Sequence, residues 1–213
     1  VDVNNQELLS IAEAHGSTLY VYDASKIKSQ YQRLSTAFSS IKQLKVNYAM
    51  KALSNVSILT YLKSLGSGLD TVSLQEVQLG LHAGFAPERI IFTPNGVSMD
   101  EIEAVVAIGA QINIDNLATL EEFGNRHPEV PVCIRINPHV MAGGNSNISV
   151  GHIDSKFGIS IHQIPHTLRI VKNTGMNING VHMHPLATFC ALCYRGSTTA
   201  VALEARVRCS FSS

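Results

Sequence analysis

The chain has 213 residues, of which 45% are hydrophobic and 15% charged, a balance typical of a folded globular protein rather than a disordered one. Its 16 basic and 16 acidic residues give a net charge of zero, which argues against nucleic acid or an anionic membrane as a partner. No apolar run approaches the roughly 18 residues of a membrane span, and four unevenly placed cysteines suggest no disulfide framework, so we expect a cytoplasmic protein.

For residues 1–40 the sequence predicts a strand and helices that lead into a larger domain. Residues 5–14 have the apolar spacing of a helix, and LYVYD (19–23) alternates as a strand does. Asp23 can cap a second helix over about 24–39.

Between residues 41 and 184, a strand followed by a helix repeats at intervals of about 20 residues. The predicted strands cover 45–51, 68–73, 89–95, 110–116, 131–137 and 177–184. The predicted helices cover 54–65, 74–83, 100–108, 117–125 and 162–174, and a polar loop covers 138–156. This alternation predicts an α/β fold with a parallel sheet.

Both an open doubly wound sheet and a closed (β/α)8 barrel fit this alternation. Polar and ionisable side chains lie where the predicted strands end, namely at Lys51, Asp70, Asn95, Asp115, Arg135 and His184. A barrel collects its site from many strand ends, whereas an open sheet concentrates it where the strand order reverses. We therefore favour a barrel, although the chain supplies only about six of its units.

Lys51 ends the apolar alternating run VNYAMK. At the end of a buried strand it would point into the mouth of a barrel, where a desolvated amine can attack a carbonyl. The alternative is a surface lysine at the start of a loop.

His182 and His184 lie two residues apart on a predicted strand and therefore share a face. We expect no metal site, because no carboxylate or thiol stands at a recognisable metal-ligand spacing. His184, at the strand end, is expected to stack on a ligand or transfer a proton, and His182 to be a core histidine.

Three more residues are candidates for the same site. Asp70 ends the strand next to that of the lysine. Glu76 stands on the other side of the same strand–helix junction. The alternative to a role in the site is a place in the first turn of the helix, where the dipole favours an acid. Arg135 interrupts the apolar strand VCIRIN, so it needs a buried partner or an anionic ligand, the alternative being a structural ion pair.

The composition changes at Pro185. Residues 185–213 contain one acidic residue, Glu204, no lysine, and three of the four cysteines. Their small residues come in runs without a clean period. We interpret them as a tail that is disordered or foreign to the preceding domain, produced by a frameshift or by a true truncation, with the frameshift favoured.

Eight segments of this chain together resemble the fold-type III pyridoxal-phosphate-dependent decarboxylases. They are LYVYD, VNYAMKALSN, GSGLDTVSLQEVQLGLHAGF, IIFTPNGVSMDEIE, INIDNLATLEEF, VCIRINPHV, DSKFGI and GVHMH. The resemblance implies a partial (β/α)8 barrel of the alanine racemase and ornithine decarboxylase-like class, over residues 41–184. It also implies that the family's C-terminal β-domain is missing.

The resemblance assigns a role to each candidate residue. Lys51 matches the lysine that forms a Schiff base with pyridoxal phosphate, and His184 matches the histidine that stacks on the cofactor ring. Asp70 and Glu76 match acids near the lysine and the cofactor. Arg135 matches an arginine of the site floor. Lys156 matches a position that helps to hold the dimer together in relatives, so a homodimer is expected for a full-length member.

The implied reaction is decarboxylation of a small amino acid. The IRINPHV and DSKFGI segments and the HMH ending favour meso-diaminopimelate as substrate and L-lysine as product. The alternatives are carboxynorspermidine, ornithine or arginine as substrate, or a non-catalytic protein that only binds pyridoxal phosphate.

The chain departs from the family after His184. A Gly-Ser pair that helps to hold the phosphate is expected there, and Pro185, Leu186 and Ala187 follow instead. The family's later glycine-rich phosphate loop, the acid on the pyridine nitrogen and a catalytic cysteine have no counterpart, and Cys190 and Cys193 are not assigned that role. We therefore expect this chain to have little or no decarboxylase activity, and two open sheet edges.

Overall fold

The structure, a computed structural model, describes residues 4–139, 157–183 and 203–205. It divides into two compact units, Val1–Leu44 and Lys45–Ser213. Each unit is described by itself below. Among the described residues, no helix is long and apolar enough to cross a membrane.

Within its described residues, 4–44, the first unit has two helices, α1 (Asn5–His15) and α2 (Ala24–Ala37), neither of which has a buried residue. The Asn4 side chain caps α1, and the predicted cap at Asp23 accepts from two backbone N–H groups at the start of α2.

The predicted strand at LYVYD is wrong, because residues 19–23 form no strand. A strand needs a neighbour to pair its backbone groups, and the described part of this unit offers none. The side chains of residues 19–22 are exposed, and Tyr20 is 90% exposed.

The second unit alternates strands and helices as predicted. Its helices are α3 (Val56–Ser64), α4 (Leu74–His82), α5 (Met99–Ile108), α6 (Leu117–Arg126) and α7 (Ile164–Thr174). Its strands are β1 (Val46–Ala49), β2 (Gly68–Thr71), β3 (Ile90–Phe92), β4 (Gln111–Ile114), β5 (Val132–Asn137), β6 (Ile159–Ser160), β7 (Ile178–His182) and β8 (Leu203–Ala205).

Strands β1 to β5 pair in chain order, all parallel, and β7 pairs parallel with β5. This succession confirms the predicted α/β fold and the partial barrel, in which the helices connect parallel neighbours. The short strand β6 pairs parallel with the carboxyl-terminal end of β5, with Ile159 opposite Ile136 and Ser160 opposite Asn137.

The expectation of two open edges is wrong at β1. The three residues of β8 lie antiparallel to β1, with Tyr48 opposite Leu203 and Val46 opposite Ala205. Part of the tail after Pro185 therefore covers the backbone groups of this edge.

The two faces of the sheet differ in chemistry. A side chain at Gly80 of α4 would meet Leu69 and Ile90, so these residues face the helices. Alternation and the strand register place the following residues on the opposite, inner face: Asn47, Ala49, Gly68, Asp70, Ile91, Thr93, Gln111, Asn113, Cys133, Arg135 and His182.

The helix-facing side is an apolar core, whereas the inner face is largely polar. Leu69, Ile90, Phe92 and Ile112 are fully buried under the helices. Burying a side chain of this size contributes about 1.5–3 kcal/mol. Polar groups on the inner face contribute little to that core, and their accumulation there indicates a site rather than packing.

Candidate functional site

Lys51 lies two residues after the end of β1. The strand ends at Ala49, and Met50–Ala52 form one turn of 3-10 helix, closed by the Leu53 N–H donating to the Met50 carbonyl oxygen at 3.1 Å. The Lys51 side chain is exposed, so the expectation of a desolvated amine is wrong within the described residues. The turn therefore presents a primary amine at the carboxyl end of the sheet, where it is accessible to a small carbonyl compound.

Asp70 lies on the inner face of the neighbouring strand, opposite Ala49. Its side chain is 3% exposed, and its Oδ1 accepts a hydrogen bond from the Thr93 hydroxyl at 2.7 Å. Asn113 Nδ2 donates to the same hydroxyl oxygen at 2.9 Å. These contacts join inner-face residues of three neighbouring strands, β2, β3 and β4, into one buried row of hydrogen bonds.

Thr93 and Asn113 were not predicted from the sequence. A signal for them exists, because Asp70, Thr93 and Asn113 recur 23 and then 20 residues apart, which is the length of the strand–helix repeat. Asn113 Oδ1 is buried and has no hydrogen-bond partner within the described part of the chain. A buried acceptor of this kind can take a donor from a ligand or a water molecule.

Glu76 has a local structural role. Ser73 Oγ accepts from the Glu76 N–H at 3.2 Å and thereby caps α4. The Glu76 carboxylate reaches back and accepts from the Val72 N–H at 2.8 Å. The helix-start interpretation of Glu76 therefore has a direct contact in its favour.

Arg135 contacts an aromatic ring. Its guanidinium carbon lies 4.9 Å from the centre of the Phe157 ring, a cation–π distance. In the register of β5 and β7, Arg135 stands opposite His182, which is 3% exposed as expected for a core histidine. Two predicted positions, His184 and Lys156, lie outside the described residues.

The structure thus brings Asp70, Arg135 and His182 to one face of one sheet, with Lys51 at its carboxyl end. Within residues 4–139, 157–183 and 203–205 it shows no cluster of three or more side chains able to hold a metal ion.

The chain matches a known family over most of its length. The family described as "Pyridoxal-dependent decarboxylase, pyridoxal binding domain" matches residues 24–186. This range contains Lys51, Asp70, Thr93, Asn113 and Arg135.

Individual relatives agree with this match. The chain is 34% identical over 184 residues to a diaminopimelate decarboxylase of Methanothermobacter thermautotrophicus, covering 85% of this chain and 43% of the relative. It is 33% identical over 186 residues to one of Streptomyces coelicolor, covering 85% and 41%.

A solved structure shares the fold. The diaminopimelate decarboxylase of Helicobacter pylori, complexed with L-lysine, superposes with a TM-score of 0.75 at 34% identity, over 85% of this chain and 47% of that one. The chain spans less than half the length of these relatives. Since the family match covers more than half of the chain, the chain belongs to the pyridoxal-dependent decarboxylases, whose cofactor is pyridoxal phosphate.

Proposed function

We propose that this chain is the cofactor-binding part of a decarboxylase that converts meso-diaminopimelate to L-lysine. The observation that carries the proposal is the exposed Lys51 amine at the carboxyl end of β1, beside a buried polar inner face, within a chain that matches the family over residues 24–186. The relatives support this substrate, because the curated proteins that are 31–34% identical to the chain over about 185 residues are named as diaminopimelate decarboxylases.

The residues fit one end of pyridoxal phosphate. Lys51 would hold its aldehyde carbon, since an accessible primary amine adds to an aldehyde. Asp70, on the strand next to that of Lys51, adds a buried carboxylate, and Asn113, two strands further along the sheet, adds a buried acceptor, Oδ1, without a partner in the described residues. The residues that hold the phosphate in the family follow the position of His184, and this chain has Pro185, Leu186 and Ala187 there instead.

When bound, pyridoxal phosphate supplies an electron sink for the bond that loses CO₂. The protein's part is to bind and orient. Lys51 tethers the cofactor at the strand end, and His184 is proposed to stack on the ring. Asp70 and Arg135 supply fixed charges of opposite sign on the inner face. Glu76 is proposed to act through the start of α4 rather than on the cofactor, because its carboxylate binds the Val72 N–H.

We further propose a homodimer for the full-length protein, as the resemblance implies, and a cytoplasmic location, as the uneven placement of the four cysteines suggests. Residues 185–213 are proposed to be foreign to the family. The family match ends at residue 186, next to the composition change at Pro185, which supports this. Sequencing the gene around codon 184 tests it, because a restored frame should encode a Gly-Ser pair and a later glycine-rich loop.

The cofactor proposal is tested by titrating the purified chain with pyridoxal phosphate and measuring its dissociation constant. We expect Lys51→Arg to weaken binding at least about tenfold, since arginine keeps the charge but cannot add to the aldehyde. Lys63→Arg, which changes an exposed lysine in α3, should leave binding unchanged. Equal binding by the Lys51 variant would refute the proposal.

The substrate proposal is tested by offering meso-diaminopimelate, ornithine and arginine to the loaded protein and measuring CO₂ release. For the 213-residue chain we expect little or no release from any of them. For a gene product with the family's reading frame restored, we expect release from meso-diaminopimelate. Preferential release from ornithine or arginine would contradict the substrate assignment.

A further inference from the structure

Thr93 lies at the centre of the buried row that crosses the inner face. Its hydroxyl donates to Asp70 Oδ1 on one side, and its oxygen accepts from Asn113 Nδ2 on the other. The three residues are 3%, 8% and 1% exposed in the order Asp70, Thr93, Asn113. Water therefore competes little for these contacts.

The donor and acceptor roles in the row follow from the number of protons that each group carries. A hydroxyl has one proton, and Thr93 gives it to Asp70, so the amide of Asn113 must present its NH₂ group to the Thr93 oxygen. An ionised carboxylate is an acceptor only, which matches this arrangement. The reversed amide of Asn113 would require the Thr93 proton for itself and would leave Asp70 without this donor.

We propose that Thr93 is a positioning residue that fixes the orientation and the ionised state of the Asp70 carboxylate, with Asn113 holding the Thr93 hydroxyl in its donating orientation. Asp70 stands opposite Ala49, two residues before Lys51 in the chain. The carboxylate is thereby held on the inner face next to the strand that carries the amine. The inference rests on the proposed function, in which Asp70 belongs to the cofactor site.

Thr93→Val tests the proposal, because valine keeps the shape of threonine and removes the hydroxyl. Thr93→Ser restores the hydroxyl and is the rescue variant. Thr71→Val is the matched control. Thr71 is fully buried, and its hydroxyl donates a hydrogen bond to the Ile91 carbonyl oxygen at 2.9 Å. Because it is one residue after Asp70 in the strand, its side chain lies on the helix-facing side of the sheet.

The first measurement is the pH titration of the Asp70 carboxyl carbon by ¹³C NMR on the full chain without cofactor, assigned by its loss in Asp70→Asn. In Thr93→Val we expect the midpoint to rise by about one pH unit, because the charged form loses a donor. Thr93→Ser and Thr71→Val should titrate like the unmodified chain. Asn113→Ala should shift the midpoint in the same direction by less, and provides the test if Thr93→Val does not fold.

An unchanged midpoint in Thr93→Val, or an equal shift in Thr71→Val, would overturn the proposal. The second measurement is the affinity for pyridoxal phosphate, which should fall about threefold to tenfold in Thr93→Val and recover in Thr93→Ser. If the titration shifts while the affinity does not, Thr93 does not position Asp70 for the cofactor. If the unmodified chain binds no pyridoxal phosphate, the proposed function fails, and the titration still decides the link between Thr93 and Asp70.

Discussion

Asn47 and Gly68 face each other across strands β1 and β2 with no space between them for a second side chain. They are Cα partners in the parallel register, and the Asn47 side chain occupies the volume that a Cβ atom on Gly68 would need. The same Cβ would also lie 2.7 Å from the Arg89 carbonyl oxygen. At this position of the inner face, β2 therefore needs a glycine to leave room for the Asn47 side chain.

We expect Gly68→Ala to destabilise the second unit by about 1–3 kcal/mol, the usual cost of overpacking, because a backbone oxygen as well as a side chain must move. The measurement is urea unfolding of the variant and of the unmodified chain. Gly180→Ala on β7 is the control, since a Cβ there meets Cys133 Sγ at an ordinary 3.4 Å. A Gly68 variant as stable as the control would show that β1 and β2 can separate without loss.

Glu76 provides a test that separates a structural role from cofactor binding. Glu76→Ala removes the acceptor for the Val72 N–H and should cost about 1 kcal/mol, as the loss of a helix cap does. Glu76→Gln keeps an acceptor oxygen and should lose less stability. Both should bind pyridoxal phosphate with unchanged affinity, so a weaker affinity in the folded Glu76→Gln variant would return Glu76 to the cofactor site.

A surface cluster joins α5 to α6 and makes stability depend on pH. The His127 ring, by a hydrogen bond, and then Arg126 hold the pKa of Glu103 below its ordinary value of 4.5. Since the folded pKa is the lower one, the contribution of Glu103 is fully present above pH 4.5 and is lost as the pH falls through the folded value.

Glu103→Gln should therefore be less stable than the unmodified chain above pH 4.5, and the difference should disappear in stronger acid. The effect should be small and should shrink with salt, because the pair is exposed. Urea unfolding at a series of pH values measures it. Glu121→Gln, exposed on α6, is the control. A difference that grows in acid would have the wrong sign for this account.

The repeat of strands and helices in the second unit could be predicted from the sequence, because the strands are mostly apolar on their helix-facing side and several helices begin at a capping side chain, as at Ser73, Ser98 and Asn116. LYVYD could not be judged in this way. Its alternation is that of a strand, but pairing depends on a neighbour that the local sequence does not reveal.

From the sequence, only those site residues could be predicted whose residue type is unusual for their position. Lys51 and Arg135 are conspicuous, because each is charged at a strand where apolar residues are expected. Thr93 and Asn113 are ordinary polar residues, and their importance depends on a strand register that joins positions 20 residues apart. The choice between two roles for Glu76 needed the position of its carboxylate.

The most direct test of the central claim is to incubate the full chain with pyridoxal phosphate, reduce it with borohydride and map the modified peptide by mass spectrometry. The account predicts one dominant adduct, on Lys51, that is absent from Lys51→Arg. Modification spread evenly over exposed lysines such as Lys63 and Lys172, or an adduct that persists elsewhere in Lys51→Arg at the same level, would contradict it.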